Sequence, residues 1–290
     1  INNRILVARN LLIGTLPILI SCMGQLWWGW DSPITIFWGL IVFFQKKLIE
    51  KASGVTGIFS NPNYLGFWLT MIWPFSLYFF FTVKKRIFKV INFSYVLTTF
   101  YFVLLSNSRN AFIGLTISSL FLIKAKFLII FLLLVLGLVI FNIIFPEMSI
   151  VFFNDFKYFT NKNLFSKFAL NLNSNLLQYQ RLEIWIKAKD LIISRPFLGW
   201  GASTFPIIYA LFKGNSDAQH LHNIFLQVSY DYGLIASLII FFIIYKSLFE
   251  CFKYCKNNFK NNNFDCFWYM SSLVVVIFHQ LDFPYFDARI

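Results

Sequence analysis

The stretch "QHLHNIFLQ" at 219–227 sets His220 and His222 two residues apart at the edge of a long apolar segment, in a chain with only three histidines. Imidazole is the side chain whose ordinary pKa lies nearest neutral pH, so a histidine facing a polar cavity can act as a general base. A metal site would need more ligands, and the candidates Asp217 and Asp231 do not complete a recognised spacing such as His-Glu-x-x-His. Plain solvation at a membrane boundary is the alternative for either ring. Asp231 follows His222 by nine residues, about two and a half turns of a shared straight helix and too far for a direct hydrogen bond.

Two arginines could supply positive charge. Arg109, in "SNSRNAF", opens an apolar run after a short polar hinge. It either anchors its helix at the lipid surface or faces a polar cavity, where a guanidinium would grip phosphate oxygens in a fork. Arg181 starts an amphipathic stretch, with Glu183 nearby and Trp185 one turn on. The turn that follows, "RPFLGWGASTF", carries Gly199 and Gly201, which permit a tight backbone path, and Ser203 and Thr204, which offer hydroxyls and amides. It is not a dinucleotide fingerprint, since no strand precedes it and the third glycine is missing. No Gly-Lys-Ser/Thr phosphate loop occurs anywhere in the chain.

The elements that must position these residues are membrane helices. The 290 residues are 58% hydrophobic and only 13% charged, well below the roughly 25% charge of a soluble domain. Several apolar runs reach the roughly 20 residues a helix needs to cross a bilayer, and they are continuous where barrel strands would alternate. The fold expected is all-α, a polytopic transmembrane helix bundle. Seven spans are expected, at about 5–23, 64–83, 87–105, 109–123, 127–146, 226–247 and 267–283. The segment 33–44, "PITIFWGLIVFF", is too short to cross and is expected to lie in the interface or re-enter.

The formal charge of +13 belongs to topology and not to nucleic acid, because most lysines and arginines fall between apolar runs. "KKRIFK" at 84–89, "KAK" at 124–126, and Lys246, Lys253, Lys256 and Lys260 lie on alternate turns of the chain, and the positive-inside rule makes their side the cytoplasm. Arg4 and Arg9 agree with that orientation, and 24–63, 106–109, 147–225 and 284–290 then face outward. The expected organisation is an N-terminal transmembrane bundle over 1–146, an outer loop over 147–225, and C-terminal helices over 226–290. The outer loop reads as an Asn-rich irregular part at 154–175, then an amphipathic helix at 178–194 with Leu182, Trp185, Ile186, Leu191, Ile192 and Ile193 as its apolar stripe, ended by Pro196 and Gly199. Cys22, Cys251, Cys255 and Cys266 show no Cys-x-x-Cys spacing, so neither a disulfide framework nor a zinc site is expected. The chain opens on Ile1 and stops at "FPYFDARI" directly after an apolar run, which suggests an internal piece of a longer protein.

Taken together, "RLEIWIKAKDLIISRPFLGWGASTF" and "HLHNIFLQVSYDYGLIAS" resemble the signature of the O-antigen ligase/polymerase family of membrane glycosyltransferases. The resemblance rests on the Arg-x-x-x-Trp helix start, the Pro-x-x-Gly-x-Gly-x-x-x-Phe turn and the His-Asn-x-x-Leu-Gln helix with an acidic residue and Gly233 downstream. "SRNA" at 108–111 is similar to the family's Ser-Arg-x-Ala element, and "SNPNYLGFWL" and "HQLDFPYFDARI" look like versions found in cyanobacterial members. Asp231 stands where members more often have Glu, and Ala202-Ser203 replaces a more glycine-rich turn.

The resemblance implies His222 as catalytic base and Arg109 and Arg181 as holders of the diphosphate of a lipid-linked sugar donor. Asn223, Gln227, Asp231, Gly199 and Gly201 are implied in supporting places; His220, beside them, could orient His222, contact a sugar or do nothing. The implied partners are an undecaprenyl-diphosphate-linked glycan donor, a glycan or lipid A-core-like acceptor and the lipids of the bacterial inner membrane, with the active face toward the periplasm and no cofactor or metal. A transporter for an anion such as bicarbonate is the competing class, with Pro74 inside the second span in its favour. The clustering of polar residues at one surface, where a transporter would place them near mid-membrane, favours the enzyme. A scaffold that only binds glycan would not need the histidine.

Overall fold

The computed structural model describes residues 2–31, 34–43, 45, 47–48, 54–122, 180–213, 218–258 and 263–281. The elements are α1 (Asn2–Trp27), the short strands β1 (Ile34–Ile36) and β2 (Ile41–Phe43), α2 (Pro62–Thr82), α3 (Arg86–Leu105), α4 (Arg109–Leu122), α5 (Gln180–Ser194), α6 (Phe205–Lys213), α7 (Ile224–Tyr232), α8 (Leu234–Asn258) and α9 (Phe264–Leu281). The all-α expectation therefore holds for the described residues apart from one antiparallel hairpin, in which Ile34 pairs with Phe43 and Ile36 with Ile41. The hairpin falls within the segment 33–44, expected to lie in the interface or re-enter. In the tight turn Phe37–Leu40 between its strands, Phe37, Trp38 and Gly39 all take positive φ.

Four described helices are long and apolar enough to cross a membrane: Asn3–Trp27, Pro62–Thr82, Arg86–Leu105 and Leu234–Lys256. The count of seven is not reached among the described residues. The span expected at 127–146 and the irregular part at 154–175 lie outside them. The span expected at 226–247 is corrected by the fold, because Gly233 breaks it into the short α7 and the long α8.

Helix α2 is the axis of the bundle, packed by α1, α3, α4 and α9. Its contacts fix directions. Phe67 meets Phe278 at 5.1 Å between ring centroids, while Tyr78 meets Phe264 at 4.6 Å, so α9 runs antiparallel to α2. Thr70 Oγ1 donates to the Ala111 carbonyl and Trp73 Nε1 to Ser119 Oγ, so α4 runs parallel to it. Helix α1 is antiparallel, with Trp68 Nε1 donating to Thr15 Oγ1 at mid-helix and Arg4 paired with Asp265 at 2.8 Å. These indole and hydroxyl bonds give polar atoms partners inside an apolar bundle, where an unpaired one is costly.

One end of the bundle therefore gathers the end of α1, the starts of α2 and α4 and the ends of α3 and α9. The segment before α2 is strapped to this end: Gln25 Oε1 accepts the amides of Thr56 and Gly57, and the Val55 amide donates to the Leu105 carbonyl at 2.9 Å. Asn61 caps α2 through the Asn63 amide, with Pro62 at its first turn. The opposite end carries Arg4 at the start of α1 and the basic turn Lys84–Lys89.

The starts of α2 and α4 touch through Gly66. A Cβ there would sit 2.7 Å from the Ala111 Cβ and 2.9 Å from the Ser108 Cβ, so any larger side chain must push the helices apart. Gly66→Leu is expected to cost about 1–3 kcal/mol by overpacking. Gly14→Ala, where nothing lies within 4 Å of the added carbon inside α1, is expected to be neutral or to stabilise by up to about 1 kcal/mol. Thermal unfolding of the two variants in the same detergent checks the contrast.

Candidate functional site

The second half of the candidate motif region forms its own small core. Ile184, Ala188, Leu191 and Ile192 of α5 pack with Phe205 and Tyr209 of α6, with Leu221 and with Tyr230 of α7. This stripe differs from the expected one: Ile186 and Ile193 are exposed, and Ile184 and Ala188 take their place. The helix itself lies at 180–194, close to the expected 178–194. Helix α6 was read only as part of the outer loop, and its apolar residues Phe205 and Tyr209 belong to this core.

The turn after α5 and the end of α7 are bound backbone to backbone. Trp200 N–H donates to the Tyr230 carbonyl at 2.7 Å, Gly201 N–H to the Asp231 carbonyl at 3.0 Å, and Leu234 N–H to the Pro196 carbonyl at 2.7 Å. Two glycines make the approach possible. Gly199 has φ +69° and a Cβ there would lie 2.5 Å from the Tyr230 oxygen; Gly233 has φ +87° and its Cβ would meet the Phe197 carbonyl. Both positions need the left-handed backbone that side chains resist. Trp200 then locks the turn: its Nε1 donates to the Leu191 carbonyl at 2.8 Å, and the Arg195 guanidinium lies 4.1 Å above its ring.

The histidines sit in the turn leading into α7. Asn223 caps that helix by accepting the Leu226 amide, and its Nδ2 donates to the carbonyl of Gln280 at the end of α9. His222, just before the cap, adopts φ +53°, a conformation uncommon for a non-glycine residue. The rings of His220 and His222 lie 4.3 Å apart, with His220 buried and His222 half-buried. Leu221 between them is fully buried. Its N–H donates to Gln227 Oε1 at 3.1 Å and its C=O accepts from Trp185 Nε1 at 2.7 Å. Gln227 Nε2 in turn donates to both carboxylate oxygens of Asp231, at 3.0 and 3.1 Å. Burial pushes the Asp231 pKa above the ordinary carboxylate range, against the opposing hydrogen bond from Gln227.

Asp231 thus reaches the histidine turn through Gln227, which spans the distance the sequence left open. Leu221 and Gln280 are site residues that sequence reasoning passed over, and Trp185 was read only in the apolar stripe and the Arg-x-x-x-Trp motif. The signal for Trp185 was present, because an indole N–H brought into a core needs an acceptor; a main-chain acceptor such as Leu221 leaves no trace in residue type.

Arg181 lies one helical turn before Trp185, near the start of α5. Arg109 is the first residue of α4. A Cβ on Gly114 would lie 3.4 Å from Val274 of α9, and because α4 and α9 run antiparallel the start of α4 lies toward the end of α9, where Gln280 meets Asn223. Arg109 and the histidine turn therefore occupy the same end of α9. Gly199 and Gly201 lie against the end of α7, the end away from the histidine turn. Among the described residues no three His, Cys, Asp or Glu side chains gather closely enough to hold a metal ion, and Asp217 lies outside them.

The O-antigen ligase family profile matches residues 93–241, just over half of the chain and inclusive of Arg109, Arg181 and His222. Similar proteins include a candidate polysaccharide ligase of Rickettsia prowazekii, 26% identical over 187 residues that cover 61% of this chain and 44% of that protein. Candidate polysaccharide ligases of Rickettsia conorii and Rickettsia typhi are each 26% identical as well, over 58% of this chain and 41% and 42% of their own lengths. The chain thus spans less than half the length of these relatives.

The close approach at Gly199 and Gly233 yields a stability prediction. Gly199→Ala and Gly233→Ala should each lose at least about 1–3 kcal/mol, the range for a side chain forced into a sparsely populated backbone region. The measurement is the thermal midpoint of each purified variant against wild type.

Proposed function

The chain belongs to the O-antigen ligase family, and from that membership we propose that it is a membrane glycosyltransferase of polysaccharide biosynthesis. In this reading it transfers a glycan from undecaprenyl diphosphate to an acceptor hydroxyl on the periplasmic face of the bacterial inner membrane. The observation that carries it is the pinned histidine turn, bonded to Trp185 of the helix that Arg181 begins and at the same end of the bundle as Arg109. The basic turn Lys84–Lys89 at the opposite end supports an outward-facing site under the positive-inside rule. The division into a bundle over 1–146, an outer portion over 147–225 and C-terminal helices over 226–290 is part of the same proposal.

The chemistry follows from the residue types. A half-buried His222 takes the proton of the acceptor hydroxyl as its oxygen attacks the anomeric carbon. The bond from that carbon to the diphosphate oxygen breaks, its electron pair leaves with the diphosphate, and the anomeric configuration inverts. Arg109 and Arg181 hold the diphosphate in forked contacts and stabilise the charge that develops on it. The guanidiniums supply the positive charge, so the proposed route needs neither metal nor cofactor. The acceptor is a glycan or a lipid A-core-like molecule, and a polymerase that extends the chain would use the same groups. The transporter alternative finds no support in the comparisons.

The full-length protein, produced in a strain lacking its gene, tests the reading. His222→Ala should lower transfer by about 10²–10⁴-fold, the usual contribution of a general base, with donor binding kept. Arg181→Lys should also be impaired, because a point charge does not reproduce the fork. Loss of surface glycan with accumulation of long lipid-linked chains would mark a ligase, and accumulation of single repeat units a polymerase. Wild-type turnover by His222→Ala would overturn the reading.

A further inference from the structure

The left-handed conformation of His222 invites the question of what holds it. A single histidine at φ +53° is strained by about 1–2 kcal/mol, and rotation of the peptide that precedes it would relieve that strain and swing the ring. Both peptides flanking Leu221 are fixed from outside the turn. The one before it is held by its N–H on Gln227 Oε1 at 3.1 Å, and the one after it by its C=O on Trp185 Nε1 at 2.7 Å. On the far side of His222, the Asn223 carbonyl accepts the Gln227 amide at 2.9 Å and the Asn223 side chain is committed to Leu226 and Gln280. The amide of Gln227 has one orientation, because its NH2 faces the two oxygens of Asp231 and its oxygen must then face Leu221.

We propose that Trp185 and Gln227 are positioning residues for His222: each holds one of the peptides flanking Leu221, and together they keep His222 in its left-handed conformation and aim its ring at the acceptor. Asp231 acts one step further back, by fixing the Gln227 amide. Neither side chain touches the reacting atoms. The inference rests on the role of His222 given above, and it assigns work to a tryptophan on another helix and to an amide whose chemistry alone would suggest sugar binding.

The test uses the full-length protein purified into lipid nanodiscs, a lipid-diphosphate-linked glycan as donor, and kcat and KM for that donor. Trp185→Phe keeps an aromatic ring but removes the N–H; Gln227→Met keeps the length but removes both amide functions. Each should lower kcat by about 10- to 100-fold, in the range that a misplacement of about 1 Å costs, with the donor KM within about twofold of wild type because the arginines are untouched. The exchange Gln227→Glu with Asp231→Asn restores an acceptor toward Leu221 and a donor–acceptor pair behind it, and should return kcat to within a fewfold of wild type. Wild-type kcat in both single variants overturns the inference. So does a rise in KM that accounts for the whole loss, or an exchange variant that is folded yet as slow as Gln227→Met. The two readings separate cleanly: an inactive His222→Ala alongside fully active Trp185→Phe and Gln227→Met refutes the positioning role alone, while a fully active His222→Ala refutes the catalytic role first.

Discussion

Three backbone hydrogen bonds between the turn after α5 and the end of α7 hold the candidate site together. Trp200, Gly201 and Leu234 give their amides to Tyr230, Asp231 and Pro196, and each bond requires two stretches of main chain to lie closer than ordinary side chains allow. Gly199 and Gly233 remove the obstruction. Helix α5, joined to α7 in this way, also reaches the histidine turn through Trp185 on the Leu221 carbonyl.

The same contact explains a break in an apolar run that reads as one span. Residues 226–247 are apolar enough to suggest a continuous span, yet the chain turns at Gly233, where the Phe197 carbonyl occupies the space a side chain would take. The short α7 that results is held by side chains: Asn223 at its start, the Gln227–Asp231 bond along it, and Ser229 against Ser237 of α8 at 2.8 Å. A nine-residue helix is marginal alone, so its stability comes from this packing. The long α8 is the contrary case. Only 6% of its spanning window is buried inside the protein, so most of its apolar surface faces outward, as a helix against lipid would.

Polar residues in the bundle are placed by the same economy of partners. Thr70, Trp73, Trp68 and Ser271 each bond to a neighbouring helix, and Gln25 bonds the strap before α2 with both ends of its amide. These bonds sit at intervals along α2 and set the depth at which each helix meets it. That register is what brings the start of α4, the end of α9 and the start of α7 to one level, and with them Arg109, Gln280 and Asn223.

By itself the sequence determined the class of the protein, because apolar runs of spanning length with basic turns between them admit few structures other than membrane helices. It also marked the side chains on which the proposed chemistry is built, since His222, Arg109 and Arg181 stand out by type and by their place at the mouths of helices. It did not determine that Gly233 divides a span, that 34–43 makes a hairpin, or that Trp185 and Gln227 meet at Leu221. Periodicity reports which face of a segment is apolar and says nothing of another segment's carbonyl pressing against a glycine or accepting from an indole. Those contacts join residues 36 positions apart, as between Trp185 and Leu221, or 57, as between Asn223 and Gln280. Main-chain partners have no residue type to be read, so only the tertiary structure could decide them.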